Sequence, residues 1–284
     1  YYEGNLLVFL LILGLGFFLY GVHGLMKKTI WWLRLIVLSG VFGVHYLCLG
    51  AEAYQFLAKT SFFDPSVYAN SSYLLPNLFV FCLNSILIFF GVNQIIVLLK
   101  EIKTISGAKV ITVVLYIASL AMAYLVGYLY LSLIIDSSIP LEIEKLFQLN
   151  LYSLWAALCM GLLFYSYFLL VRQLFLALQR AEWKKTTIIV IWFISAIAYF
   201  LFDVIYGSEM LFLALWPLVI NGIIAFNSIR DKGKLSFNYG VILLFLFSLY
   251  IAINVNEFNE KKEKAERELF ATQLASDQDI STEL

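Results

Sequence analysis

Three ionisable side chains stand out because they lie inside or at the edges of long apolar runs: His45, Glu52 and Asp203. A charge within a bilayer is costly, which makes each a functional candidate. His45 and Glu52 are seven residues apart, two helical turns, so one helix spanning both would carry them on a shared face. Together with Asp203 they would line an outward-facing polar pocket fit for a cation or a proton relay. The plainer arrangement, and the one we expect, leaves Glu52 and Asp203 at the outer rim of a helix bundle and His45 hydrogen-bonded in its core. Other chemistry has no carrier. The chain has no HExxH, no GxSxG, no Walker lysine and no paired catalytic carboxylates. It has no lysine in its last two apolar runs that could form a retinal Schiff base. No enzymatic activity, cofactor or metal is expected of these residues.

The elements that must position these groups follow from composition. Hydrophobic residues make up 62% of the chain and charged residues 13%, with a mean hydropathy of +0.89. A soluble domain is about half apolar and about a quarter charged, so this composition belongs to a membrane protein. Uncharged runs occupy residues 4–26, 35–51, 65–99, 110–135, 146–171, 186–202, 210–229 and 235–256. Each is near or above the ~17–25 residues of a transmembrane helix. The fold expected is all-α, a polytopic membrane bundle of about eight transmembrane helices over residues 1–255, followed by a charged helical stalk over residues 256–284. Barrel strands are excluded because the runs are continuously apolar and do not alternate.

Within the bundle, Gly40-x-x-Gly43 on the second span suits close helix packing, and Pro217 is expected to kink the seventh. Arg34, one turn into the second span, is expected to snorkel to the interface. The inner end of the fifth span, with Arg172 and Arg180, is expected to project into the cytoplasm. Asn77, Asn84, Asn93, Gln94, Asn150 and Asn221 are expected to join helices through hydrogen bonds of about 0.6–2 kcal/mol. Cys48, Cys82 and Cys159 lie on three separate runs without CxxC spacing, as small buried side chains. With 18 Tyr and 25 Phe, no single aromatic cluster stands out.

Net charge is zero, but the basic residues are segregated. The odd-numbered connections carry 13 Lys and Arg, and the even-numbered ones carry two, Lys59 and Lys145. The positive-inside rule places the odd connections in the cytoplasm. Tyr1 and everything after Val255 are then expected outside.

The tail carries the most specific pattern. Glu257/Lys261, Glu260/Lys264 and Glu263/Arg267 are i,i+4 pairs in the orientation that supports an exposed helix. Phe258, Ala265, Leu269, Thr272 and Ser276 form a thin, weakly apolar stripe, with Leu274 at its edge. Neither Pro nor Gly interrupts the helix between the last apolar run and this segment. Arg267-Glu268-Leu269-Phe270-Ala271, Leu274-Ala275, Asp279 and Glu283 resemble the run after the last membrane span of large bacterial sensor histidine kinases, with Ile280 where that family often has proline. The resemblance implies a stalk that leads into an extracytoplasmic Cache-like sensor domain, with a kinase further along. The chain starts without Met and stops on a helix, and we read it as an internal fragment.

The function expected is a membrane-embedded sensing and anchoring module of a two-component receptor. Its partners would be the lipid bilayer and, through downstream domains, a second copy in a homodimer; nothing points to nucleic acid, and no ligand is identified. The alternative is a transporter with a pathway near His45, Glu52 and Asp203, although no internal repeat supports it.

Overall fold

The computed structural model describes residues 2–27, 29–54, 60–64, 67–68, 75–101, 108–139, 150–206, 211–231 and 237–282. They form helices α1 (Tyr2–Met26), α2 (Trp31–Gly50), α3 (Leu78–Lys100), α4 (Ala108–Ile135), α5 (Leu151–Arg180), α6 (Lys185–Tyr206), α7 (Leu211–Asp231) and α8 (Phe237–Thr282). A 3-10 turn at Ser61–Phe63 lies between α2 and α3. Among the described residues there is no strand, and a single bridge joins Tyr68 to Ser137. Among the same residues, α1 to α5 and α8 contain stretches long and apolar enough to cross a bilayer. The apolar stretches of α6 and α7 are shorter, Lys185–Leu201 and Trp216–Asn227.

α3 and α5 form the centre. α4 packs on α5, α7 on α5 and α6, α1 and α2 on α3, and α8 on α4 and α7. Large apolar side chains such as Phe17, Phe18, Leu47, Phe193 and Leu244 point outward along α1, α2, α6 and α8. A water-soluble surface does not tolerate patches of this extent, whereas a lipid-facing one requires them. The chain is therefore a multi-pass helical membrane protein.

The helix ends explain two departures from the expected arrangement. Asn77 and Asn150 do not join helices; they cap them. The Asn77 side chain accepts from Val80 N at 3.0 Å, and Asn150 forms a reciprocal box with Ser153 at the start of α5. At the other extreme, α2 stops at Gly50. Glu52 takes a positive φ of 54°, its N–H reaches Leu49 O at 3.2 Å and that of Ala53 reaches Cys48 O at 2.8 Å. This is a Schellman termination with a glutamate in the place glycine usually fills. α5 ends the same way, with Glu182 at φ 61°.

Pro217 lies inside α7, where its missing N–H removes one rung of the helix ladder. An added Cβ at Gly40 or Gly43 would meet nothing within 4 Å, so no neighbour within the described chain packs on that pair. The close approach to α2 comes from Gly91 on α3, where a Cβ would lie 3.5 Å from Phe42.

Candidate functional site

His45 is buried at the interface of α2 and α3. Its Nε2 lies 3.1 Å from Asn84 Oδ1 and its Nδ1 3.1 Å from Tyr54 Oη. An amide oxygen only accepts, so Nε2 carries the proton and Nδ1 accepts from the tyrosine hydroxyl. Both ring nitrogens are thus satisfied within the protein. Glu52 sits beyond the end of α2, exposed, so the two-turn register that would have set it beside His45 stops at Gly50. Asp203 is in the last turn of α6, and its side chain lies outside the described residues. α2 packs on α3 while α6 packs on α7 and α5. The described contacts do not gather His45, Glu52 and Asp203 into one pocket. Among the described residues no group of three or more His, Cys, Asp or Glu is placed to hold a metal ion.

Arg34 corrects the expectation of snorkelling. It is 2% exposed and makes four hydrogen bonds. Nε donates to Met26 O at 2.9 Å and Nη2 to Lys27 O at 3.1 Å, capping the last carbonyls of α1. Nη1 and Nη2 donate to the two oxygens of Glu101, just past α3, at 3.2 and 3.1 Å. The planar fork of arginine is suited to this, since a buried charge is tolerated only when paired and fully bonded. Close by, Arg180 Nη1 donates to Leu99 O at 3.3 Å, and Lys109 lies 5.7 Å from the Trp183 ring centroid. The C-terminal end of α5 is therefore packed against α3: Leu174, Ala177 and Leu178 are fully buried. These contacts place the ends of α1, α3 and α5 and the starts of α2 and α4 together at one basic end of the bundle.

The opposite end holds α8. Tyr68 Oη lies 2.6 Å from Ser132 Oγ, which donates to Asp136 Oδ2 at 2.9 Å. Ser138 N donates to Val67 O at 3.0 Å. Phe62 packs edge-on against Tyr152 and Trp155. On this platform Lys262 Nζ of α8 donates to Ser137 O, and Tyr130 Oη of α4 donates to Ile251 O at 2.8 Å.

Below it lies an aromatic cluster that composition had hidden. Trp216 of α7 meets Tyr250 of α8 and Phe164 of α5, both at 5.2 Å between centroids, and Tyr130 meets Phe258 at 6.1 Å. Tyr167 Oη donates to Asn221 Oδ1 at 3.0 Å, fastening α5 to α7. Phe258 is fully buried, so it belongs to the bundle and not to the stalk stripe, and packing continues past residue 255 to Lys262.

Beyond that point α8 is solvent-exposed wherever its side chains are described. Arg267 pairs with Glu263 at 2.8 Å, and Phe270 and Leu274 are 61% and 66% exposed. The side chains of Leu269 and Asp279, and Glu283 altogether, lie outside the described residues.

These features define a class, a polytopic helical membrane protein whose last helix is gripped at one end of the bundle and continues beyond it. Compared with protein-family models, curated proteins and solved structures, the chain finds no match.

Proposed function

We propose that this chain is the membrane-embedded sensing and anchoring module of a bacterial signal-transduction receptor of the two-component type, lying in the plasma membrane. One observation carries the proposal: α8 runs unbroken for 46 residues from Phe237 to Thr282. At ~1.5 Å per residue that is about 69 Å, more than twice the ~30 Å hydrocarbon core, so a large part of the helix must project from the bilayer. A continuous helix is the element able to carry a tilt, rotation or piston movement between a membrane bundle and a domain outside it.

In this reading the bundle crosses the membrane eight times, α6 and α7 included. The 13 basic residues of the odd connections lie in the cytoplasm, and α8 emerges outside, where it carries an extracytoplasmic sensor domain. The clasp of Lys262 on Ser137 and the aromatic cluster make α4, α5 and α7 the bundle's share of the coupling.

The test is the stimulus response of the full-length receptor with two glycines inserted after Lys264, where the helix has left the bundle. Coupling through α8 predicts loss of the response with expression and membrane insertion unchanged. An undiminished response means that α8 only anchors.

A further inference from the structure

Between α1, α3 and α5 lies a cavity of about 660 Å³, within the ~300–1,000 Å³ of small-molecule sites. Its lining is graded along the helices. Towards the α8-clasp end it is apolar, with Ile12 and Gly16 of α1 facing Trp155 of α5. Towards the basic end its walls are Tyr20, His23 and Lys27 of α1 and Asn93 of α3. Positions 16, 20, 23 and 27 fall on one helical face, so a single stripe of α1 carries the gradient. From Ile12 to His23, α1 rises about 16 Å, about half the ~30 Å hydrocarbon core, which is the depth of one leaflet.

The polar end is positive. Lys27 and Lys100 both lie within electrostatic reach of His23, while Glu101, an acid of that end, is engaged bidentately by Arg34. Gln94 Nε2 donates to His23 Nδ1 at 3.3 Å, which leaves Nε2–H as the ring's remaining donor. Phe17 and Tyr20 line the cavity yet are 74% and 76% exposed, so it opens sideways between α1 and the bilayer and is not sealed within the bundle.

We infer that this cavity is a lipid site that holds one acyl chain of an anionic phospholipid, with the phosphate between Lys27 and His23. An apolar slot of leaflet depth that ends in ammonium and imidazole donors matches that amphiphile in length, polarity and charge. The inference rests on membrane residence alone and is independent of the signalling proposal.

The full-length protein, purified in mild detergent and washed, is incubated with mixed micelles containing equal phosphatidylglycerol and phosphatidylcholine of the same chains. Retained lipid is then counted by native mass spectrometry. At about 1 kcal/mol per lysine near an anionic headgroup, Lys27 should make the wild type retain phosphatidylglycerol roughly fivefold over phosphatidylcholine. Gly16→Leu places a side chain where a Cβ meets nothing within 4 Å, so it should fill the slot and abolish retention of both lipids with the thermal midpoint preserved. Lys27→Glu should keep the chain site and lose the preference. The inference is overturned if the wild type shows no preference, if Gly16→Leu retains phosphatidylglycerol as the wild type does, or if the preference survives Lys27→Glu.

Discussion

The two ends of the bundle solve the same problem with different chemistry. At the basic end, charged side chains reach across to helix-terminal carbonyls: Arg34 closes α1 and binds Glu101, and Arg180 takes Leu99 O. At the α8-clasp end one charged contact remains, Lys262 on Ser137 O, and hydroxyls and rings do the rest: Tyr68 on Ser132, Ser132 on Asp136, Phe62 on Tyr152 and Trp155. Lipid-exposed helices gain little from apolar contact with one another, because lipid tails are as apolar as leucine. Polar fastenings therefore decide how the peripheral helices sit. A guanidinium fastening is strong but leaves a buried charge when broken, whereas a hydroxyl network is weaker and degrades gradually. The first suits an end that must stay fixed, and the second suits an end where one helix passes out of the bundle.

The difference can be broken first at Arg34. Arg34→Ala removes four hydrogen bonds, leaving Met26 O only its bonds from Thr29 and Glu101 half-exposed without its fork, and should cost about 2–4 kcal/mol, read as a lowered thermal midpoint in detergent. Arg34→Lys should recover little, since an ammonium cannot engage both oxygens of Glu101 as the fork does. Next in size is His45→Ala, at the joint between α2 and α3. It removes the bonds of His45 to Asn84 and Tyr54 and should cost about 1–3 kcal/mol. If this change abolished a biological response without moving the midpoint, His45 would have a functional role beyond structure.

At the opposite end, Tyr68→Phe deletes one hydroxyl from a chain of them and should cost about 1 kcal/mol, well below Arg34→Ala. Equal losses at the two ends would undo the contrast. The smallest effects have the opposite sign and are the same at both ends. Glu52→Gly and Glu182→Gly relieve a left-handed residue and should each stabilise by up to about 1 kcal/mol, measurable as a small rise in midpoint.

The helical character and the approximate limits of α1, α3, α4 and α5 were legible in the apolar runs, because transmembrane length and hydropathy are local properties. So was the i,i+4 pair of Glu263 with Arg267. Asn84, Gln94 and Asn221 do join helices as their position in apolar runs implied, to His45, His23 and Tyr167. What stayed hidden depends on distant partners. Arg34 and Glu101 are 67 positions apart, and nothing local to Arg34 distinguishes a buried fork from a snorkelling one. The end of α2 was missed because glutamate in a Schellman position leaves no glycine to mark it. The Trp216–Tyr250–Tyr130–Phe258 cluster was lost in a chain that is 17% aromatic. It is specified by which helices meet, not by how many rings each carries.

The proposed topology gives the two ends a sidedness: it puts the charged end in the cytoplasm and has the opposite end release α8 to the outside. Ser276→Cys, near the C-terminal end of α8, tests it directly in intact spheroplasts with a membrane-impermeant thiol reagent, against the unsubstituted protein as background. The account predicts labelling of Cys at position 276 before permeabilisation. Labelling that appears only after the membrane is opened would place the stalk in the cytoplasm and contradict it.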